Sequence, residues 1–218
     1  MATPSIRDDE LRQEAQESMS DIERIRERVR ILTLQALRDR KFDAKEFQNV
    51  MSALTKGISV GAEKHGDNIK GAVSAAFTGL DEAFTRAAHA SSLAVKELAA
   101  RGKEFSEAEL KQSLIQMRRM ETDFTETWSE VARSASGAVK TEMQALITHV
   151  QRTGTDTSKV VGDTVREFTH RMGSTWMSAQ TGGIEAARTL GNRFAQAASG
   201  LFAAMSESLN KEEPRKPK

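Results

Sequence analysis

The stretch FQNVMSALTKGISVGAEKHGDNIKGAVSAAFTGLDEAFTRAAHASSLAVKEL, residues 47–98, decides the fold class. Steps of 4, 3 and 4 residues along it trace a stripe of apolar side chains in which only His65 and Ser91 are polar. The step sum of eleven residues spans three turns at about 3.67 residues per turn, so the stripe stays on one side of a nearly straight helix. Its members are Phe47, Met51, Leu54, Ile58, Ala62, His65, Ile69, Val73, Ala76, Leu80, Phe84, Ala87, Ser91, Val95 and Leu98.

Similar stripes occur in the other parts of the chain. The eleven-residue period runs from Val161 to Leu209, and a mixed period runs from Leu110 to Val150 with Glu121 as its polar exception. The N-terminal part instead alternates steps of 4 and 3, a heptad pattern that favours left-handed supercoiling. The heptad positions are Leu11, Ala15, Ser18, Ile22, Ile25, Val29, Leu32 and Ala36.

The composition agrees with a helical chain. The three prolines are Pro4, Pro214 and Pro217, so no proline interrupts residues 5–213. Aromatic residues make up 5% of the sequence and tyrosine is absent, which leaves few of the residues that favour strands. We therefore predict an all-α protein, an elongated bundle of about four long amphipathic helices that forms one helical unit.

Helix boundaries follow from capping signals between the stripes. Asp43 with Glu46 and Ser106 with Glu109 match capping boxes, and Gly154 breaks the pattern before Asp156. A helix of fifty-odd residues would be roughly 80 Å long, which is too long for an ordinary compact domain. Three alternatives stay open: the long helices kink at their glycines, the protein is an elongated bundle, or the helices lie on something extended. The predicted helices span residues 5–40, 43–101, 106–152 and 156–211, and a charged tail spans 212–218.

Glycines are frequent in the second and last predicted helices, although each costs a helix interior about 1 kcal/mol relative to alanine. Two explanations stay open at this point. Small residues spaced four apart, such as Gly57 and Gly61, allow two helix backbones to approach closely. Alternatively, the glycines keep the helices marginal, so that they form fully only when the apolar face is covered.

Several function classes lack support in the sequence. The chain has no cysteine and a net charge of +1, and its histidines show no paired spacing for a metal. We therefore expect no enzyme activity, no metal and no cofactor, and we do not expect nucleic acid as a partner. The first residues lack the features of a signal peptide, so we expect a cytoplasmic protein. Within the cytoplasm, it is either free or bound peripherally to the surface of a granule or membrane. His65 and Glu121 lie at stripe edges or have a role of their own.

The stretch GSTWMSAQTGGIEAARTLGNRFAQAASGLFAAMS, residues 173–206, contains only three charged side chains, Glu185, Arg188 and Arg193. These charges interrupt every window of about twenty residues, so no transmembrane span is predicted. The stripe suits contact with other helices or shallow docking on a lipid or polymer surface. This stripe and the predicted helix 43–101 supply the candidate contact residues, which are Trp176, Leu190, Phe194, Leu201, Met205, Ile69, Leu80 and Phe84.

The segments VRILTLQALRDRKFD, GISVGAEKHG and GLDEAFTRAAHASSLAVKELAARGKEFSEAELKQSL, at residues 29–43, 57–66 and 79–114, resemble an uncharacterised family of bacterial all-helical proteins. The resemblance covers roughly residues 20–150 and implies no activity. In period and composition alone, the chain is also similar to phasins, which coat polyhydroxyalkanoate granules, and to apolipoprotein and late-embryogenesis-abundant helices.

Two functional hypotheses follow. In the first, a non-enzymatic amphipathic protein coats a hydrophobic surface, either a polymer granule or a lipid interface. In the second, a structural or interaction bundle buries its stripes internally and forms a homo-oligomer. The second hypothesis assigns a coiled-coil contact, within or between chains, to Ile22, Ile25, Val29 and Leu32.

Overall fold

A computed structural model describes residues 7–38, 44–100 and 107–172 of the chain. These residues are almost entirely helical and contain no strand, which confirms the all-α prediction. A short 3₁₀ helix, Glu63–Asn68, lies between the third and fourth helices. The α-helices are α1 Asp8–Ser18, α2 Ile25–Arg38, α3 Ala44–Ala62, α4 Ile69–Ala100, α5 Glu107–Ser134, α6 Gly137–Thr153 and α7 Asp156–Met172.

Helices α3 and α4 form an antiparallel hairpin. The chain reverses at Gly66, whose φ of 52° lies in the left-handed region that glycine adopts without a steric penalty. As a result, Phe47 near the start of α3 meets Phe84 in α4, with ring centroids 4.9 Å apart.

Helices α1 and α2 form a second hairpin that packs along the first. Helix α1 contacts α3, and α2 contacts α4. His65 donates a hydrogen bond to the carbonyl oxygen of Met19, and Arg26 in α2 pairs with Glu82 in α4. Along each contacting pair, α1 with α3 and α2 with α4, the residue numbers of both helices increase in the same direction. The paired helices are therefore parallel, and the turns of the two hairpins lie at the same end of the bundle.

Glycines allow the two hairpins to approach closely. A Cβ atom at Gly57 would lie 2.2 Å from the carbonyl oxygen of Arg12, and one at Gly79 would lie 2.4 Å from that of Arg26. At Gly61 the added atom would lie 2.6 Å from the side chain of Met19. Close backbone approach therefore explains these three glycines, the first of the two explanations drawn from the sequence.

Helices α5, α6 and α7 complete the bundle around α4. Phe124 of α5 stacks on Phe77 of α4 with ring centroids 5.3 Å apart, and Trp128 meets Phe77 edge-on with ring centroids 4.9 Å apart. The chain turns after α5 at Gly137 and again after α6 at Gly154, both with positive φ. Helix α7 then runs along α4 in the same direction, as two bonded pairs show: Thr85 with Thr157, and Ser92 with Thr164.

The helix boundaries differ from the prediction inside three of the four segments. The predicted helix 43–101 folds back at Gly66, 5–40 breaks between α1 and α2, and 106–152 breaks before Gly137. The period missed these breaks because the spacing of 3 and 4 residues continues across each of them, from Ser18 to Ile22, from His65 to Ile69 and from Ala135 to Val139. The reversal at Gly66 also removes the 80 Å helix from which elongation was predicted. Helix α7 begins at Asp156 as predicted, and residues 173–211 and 212–218 lie outside the described residues.

Candidate functional site

The stripe of residues 47–98 lies inside the bundle over its described part. Of its three candidate contact residues, Leu80 and Phe84 are buried and Ile69 is half-buried against the core. These side chains contact other helices of the same chain. The other five candidates, Trp176, Leu190, Phe194, Leu201 and Met205, lie outside the described residues.

An aromatic cluster forms the centre of this core. Phe84 lies between Phe47 and Phe124, with ring centroids 4.9 Å and 5.0 Å away. Phe77 links Phe124 to Trp128 through two further ring contacts. Edge-on and offset ring pairs add to the stabilisation that burial alone provides. The cluster therefore joins α3, α4 and α5.

The heptad residues of the N-terminal part meet the core of the same chain. Ile25, Val29 and Leu32 are buried, whereas Ile22 lies between α1 and α2 and is 36% exposed. Contact with a second chain through the three buried residues would require α2 to leave α4. Within one chain, the heptad stripe is the face by which α2 packs on the bundle.

A small cavity of about 10 Å³ lies beside the aromatic cluster. Its lining is mostly apolar and comes from α3, α4, α5 and α7. A cavity of this size holds about one water molecule, whereas sites for organic ligands measure about 300 Å³ or more. The lining residues are Phe47, Phe84, Ala88, Ser91, Met117, Met120, Thr157 and Val161.

The two polar members of the stripes differ in what they contact. His65 lies in the 3₁₀ helix, and its Nε2 atom donates a hydrogen bond to the carbonyl oxygen of Met19 at 2.5 Å. It thereby links the turns of the two hairpins. Glu121 is half-buried on α5, and its carbonyl oxygen accepts a hydrogen bond from Thr125.

Asp81 of α4 caps the N-terminus of α7, a role that the sequence analysis missed. Its carboxylate accepts hydrogen bonds from the backbone N–H groups of Asp156 and Thr157 at 3.0 Å and 3.2 Å, and from the Thr157 hydroxyl at 2.7 Å. A carboxylate at this position satisfies free N–H groups and opposes the positive end of the helix dipole. No local pattern reveals the contact, because it joins residues far apart in sequence.

Asp123 of α5 is a buried carboxylate that the sequence analysis also missed. It is only 6% exposed, and its Oδ2 atom lacks a hydrogen-bond partner. Burial raises the pKa of Asp123, while Arg119, whose Nε lies 3.8 Å away, lowers it by a smaller amount. The sequence does carry one signal of this burial: Asp123 lies next to the stripe residue Phe124 and three residues after Met120, so it is close to the apolar face of the helix.

Replacing Asp123 by Asn is expected to stabilise the bundle at neutral pH by about 1 kcal/mol or more, because it removes an incompletely paired buried charge. Because the pKa of Asp123 is raised in the folded state, the contribution of its protonation to stability is fully present below the ordinary Asp pKa of about 4. That contribution is lost as the pH rises through the folded-state pKa. The variant should lose this dependence. Urea unfolding between pH 4 and 7 measures it.

The control is Glu130→Gln, which removes an exposed carboxylate from the same helix. It is expected to change the free energy of unfolding by less than about 0.5 kcal/mol. Equal pH dependence in the wild-type protein and in Asp123→Asn would contradict the prediction.

Two kinds of feature are absent from the described part of the chain. Its His, Asp and Glu side chains form no group of three or more that could hold a metal ion. None of its helices combines the length and the apolar character needed to cross a bilayer.

In the comparison with protein families, residues 1–211 match a family described as "Family of unknown function (DUF6781)". The chain belongs to DUF6781. The match takes in the seven α-helices of the described residues and the whole C-terminal stripe, which ends at Leu209. No curated protein matches this DUF6781 chain, and no solved structure does.

Proposed function

We propose that this protein coats a hydrophobic surface without catalysing a reaction, and that residues 173–211 make the contact. In this proposal, the helices described within residues 7–38, 44–100 and 107–172 remain a folded bundle that carries the contact segment. The surface is a lipid interface or a hydrophobic polymer granule, as in phasins.

The supporting observation is the burial of the other apolar stripes. Phe84, Phe124 and Phe168 represent the stripes of α4, α5 and α7, and each is at most 2% exposed within the chain. These side chains have partners already. The stripe from Trp176 to Leu209 has the same period in a segment with few charges, so it is the candidate for an external surface.

The glycines of the C-terminal segment support the same proposal. Gly173, Gly182, Gly183, Gly191 and Gly200 each weaken a helix by about 1 kcal/mol relative to alanine. A segment with low intrinsic helix stability gains most when a surface covers its apolar face. We therefore expect helix formation in this segment to be coupled to binding.

Tryptophan fluorescence tests the proposal. In full-length Trp128→Phe, the emission comes from Trp176 alone, because the chain has two tryptophans. Adding phosphatidylcholine vesicles or polyhydroxybutyrate particles should shift this emission to the blue and increase helix content by circular dichroism, since Trp176 enters an apolar phase. Unchanged emission and helix content with both materials would overturn the proposal.

A matched pair of variants tests which face makes the contact. Phe194→Glu is expected to reduce co-flotation with phosphatidylcholine vesicles at least tenfold, because it places a carboxylate on the apolar face. Arg193→Glu changes an adjacent residue off the stripe and is expected to reduce co-flotation less than threefold, since a solvated charge costs little to move. Equal losses in the two variants would contradict the assignment of the face.

The alternative is a structural bundle that self-associates, in which helices cover the C-terminal stripe as they cover the described ones. In that case, residues 173–211 would pack on their own chain or on a second copy. Light scattering should then show an oligomer that Phe194→Glu dissociates, and Trp176 should be shielded before any surface is added.

A further inference from the structure

Helices α2 and α4 form a ladder of charged side chains where they run side by side. Arg26 of α2 donates hydrogen bonds through Nε and Nη2 to the Oε1 atom of Glu82 in α4, the Nε bond measuring 2.8 Å. The two helices are parallel, so the residues one turn later on each helix also face one another. Those residues are Arg30 and Arg86.

Two arginines therefore lie at corresponding positions on the adjacent helices, one turn after the Arg26–Glu82 ion pair. Both residues are half-buried, and the Nε atom of Arg30 is buried without a hydrogen-bond partner. Burial lowers the pKa of Arg86, and the positive charge of Arg30 lowers it further, while Glu82 acts in the opposite direction. The repulsion between the two cations thus exceeds what a solvated surface pair would feel.

The nearby carboxylates are already engaged. Glu82 binds Arg26, and Glu27, the acidic residue one turn before Arg30, pairs with Arg24 at 3.6 Å. Each of these glutamates is thus paired with one arginine, Arg24 or Arg26, and Arg30 and Arg86 add two further positive charges. The group has a net charge of +2.

We propose that Arg30 and Arg86 form a binding site for a phosphate-type dianion between α2 and α4. The source of the phosphate is either a free phosphate compound or the headgroup of a lipid. Arginine suits this ligand because its planar group donates two parallel hydrogen bonds to phosphate oxygens. A dianion would offset the two uncompensated charges and provide an acceptor for the buried Nε atom of Arg30.

The backbone around the site supports its preorganisation. Gly79 lets α2 approach α4 so closely that a Cβ atom there would lie 3.2 Å from the backbone nitrogen of Arg30. The Arg26–Glu82 pair then fixes the register of the two helices one turn away. Rigid helices on both sides reduce the entropy lost when a ligand is bound.

The test measures binding of inorganic phosphate to the full-length protein by isothermal titration calorimetry, with ionic strength held constant by sodium chloride. Arg30→Gln and Arg86→Gln are each expected to weaken phosphate binding at least tenfold. The control Arg118→Gln removes an exposed arginine of α5 and should leave the affinity within twofold of wild type. Circular dichroism checks that every variant is folded.

A second arm distinguishes the two sources of phosphate. Co-flotation compares vesicles of pure phosphatidylcholine with vesicles that also contain phosphatidic acid, whose headgroup is a phosphate monoester. An excess of binding to phosphatidic acid that disappears in Arg86→Gln identifies a lipid headgroup, and phosphate binding without that excess identifies a free compound. If neither inorganic phosphate nor phosphatidic acid binds in a manner that depends on Arg30 and Arg86, the proposal is overturned. Binding to pure phosphatidylcholine tests the function of residues 173–211 separately.

Discussion

Replacing Phe84 by Ala is expected to lower the free energy of unfolding by about 3 to 5 kcal/mol, the usual cost of removing a fully buried phenylalanine ring. Phe84 is 1% exposed and contacts the rings of Phe47 and Phe124. Its removal would enlarge the small cavity that it already lines. Urea unfolding followed by circular dichroism at 222 nm measures the loss.

The control for this prediction is Leu93→Ala, on the same helix. Leu93 is 47% exposed, so the change is expected to cost less than about 1 kcal/mol. If Phe84 instead served an external surface, its removal would reduce vesicle binding and leave stability nearly unchanged. That outcome would contradict the internal packing of the stripe of residues 47–98.

Replacing Gly57 by Ala is expected to destabilise the protein by about 1 to 3 kcal/mol, although alanine is the better helix former. The added methyl group would lie 2.2 Å from the carbonyl oxygen of Arg12 and 2.7 Å from the Cβ atom of Ala15. Because the closest of these atoms belongs to the backbone, helix α1 must move away from α3 to make room. Urea unfolding of the full-length variant measures this cost.

Gly71→Ala is the matched control for the glycine prediction. Gly71 is exposed in α4, and the nearest atom to an added methyl group is the Oδ1 atom of Asn68 at 3.6 Å. Helix propensity should then dominate and stabilise the protein by up to about 1 kcal/mol. Opposite signs at Gly57 and Gly71 are expected. Stabilisation by both substitutions would show that the helix glycines serve adaptability instead of close packing.

Local signals in the sequence predicted the helical class and the start of one helix whose preceding residues are described. Helix α7 begins at Asp156, two residues after the break at Gly154. Capping works through neighbouring residues, so it can be read from a short window. The turn at Gly66 was missed because a glycine in a helical pattern does not by itself indicate its φ.

The polar groups of the candidate sites were harder to predict. Asp81 and Thr157 have no special sequence context, and their meeting depends on how α7 lies along α4. In the same way, Arg30 and Arg86 each look like an ordinary solvated arginine of an amphipathic helix. Only the parallel packing of α2 on α4 brings their charges together.

By itself, the sequence determined that the chain is all-α and which side of each helix is apolar, because helix propensity and hydrophobic period act over a few turns. It left open whether a stripe meets another helix or an external surface, since burial of an apolar side chain gains similar free energy in either case. For the stripes of the described residues, the tertiary structure decided in favour of helix contacts. The decision came from the reversal at Gly66 and the close approach at Gly57 and Gly79, which depend on backbone contacts between segments far apart in the chain.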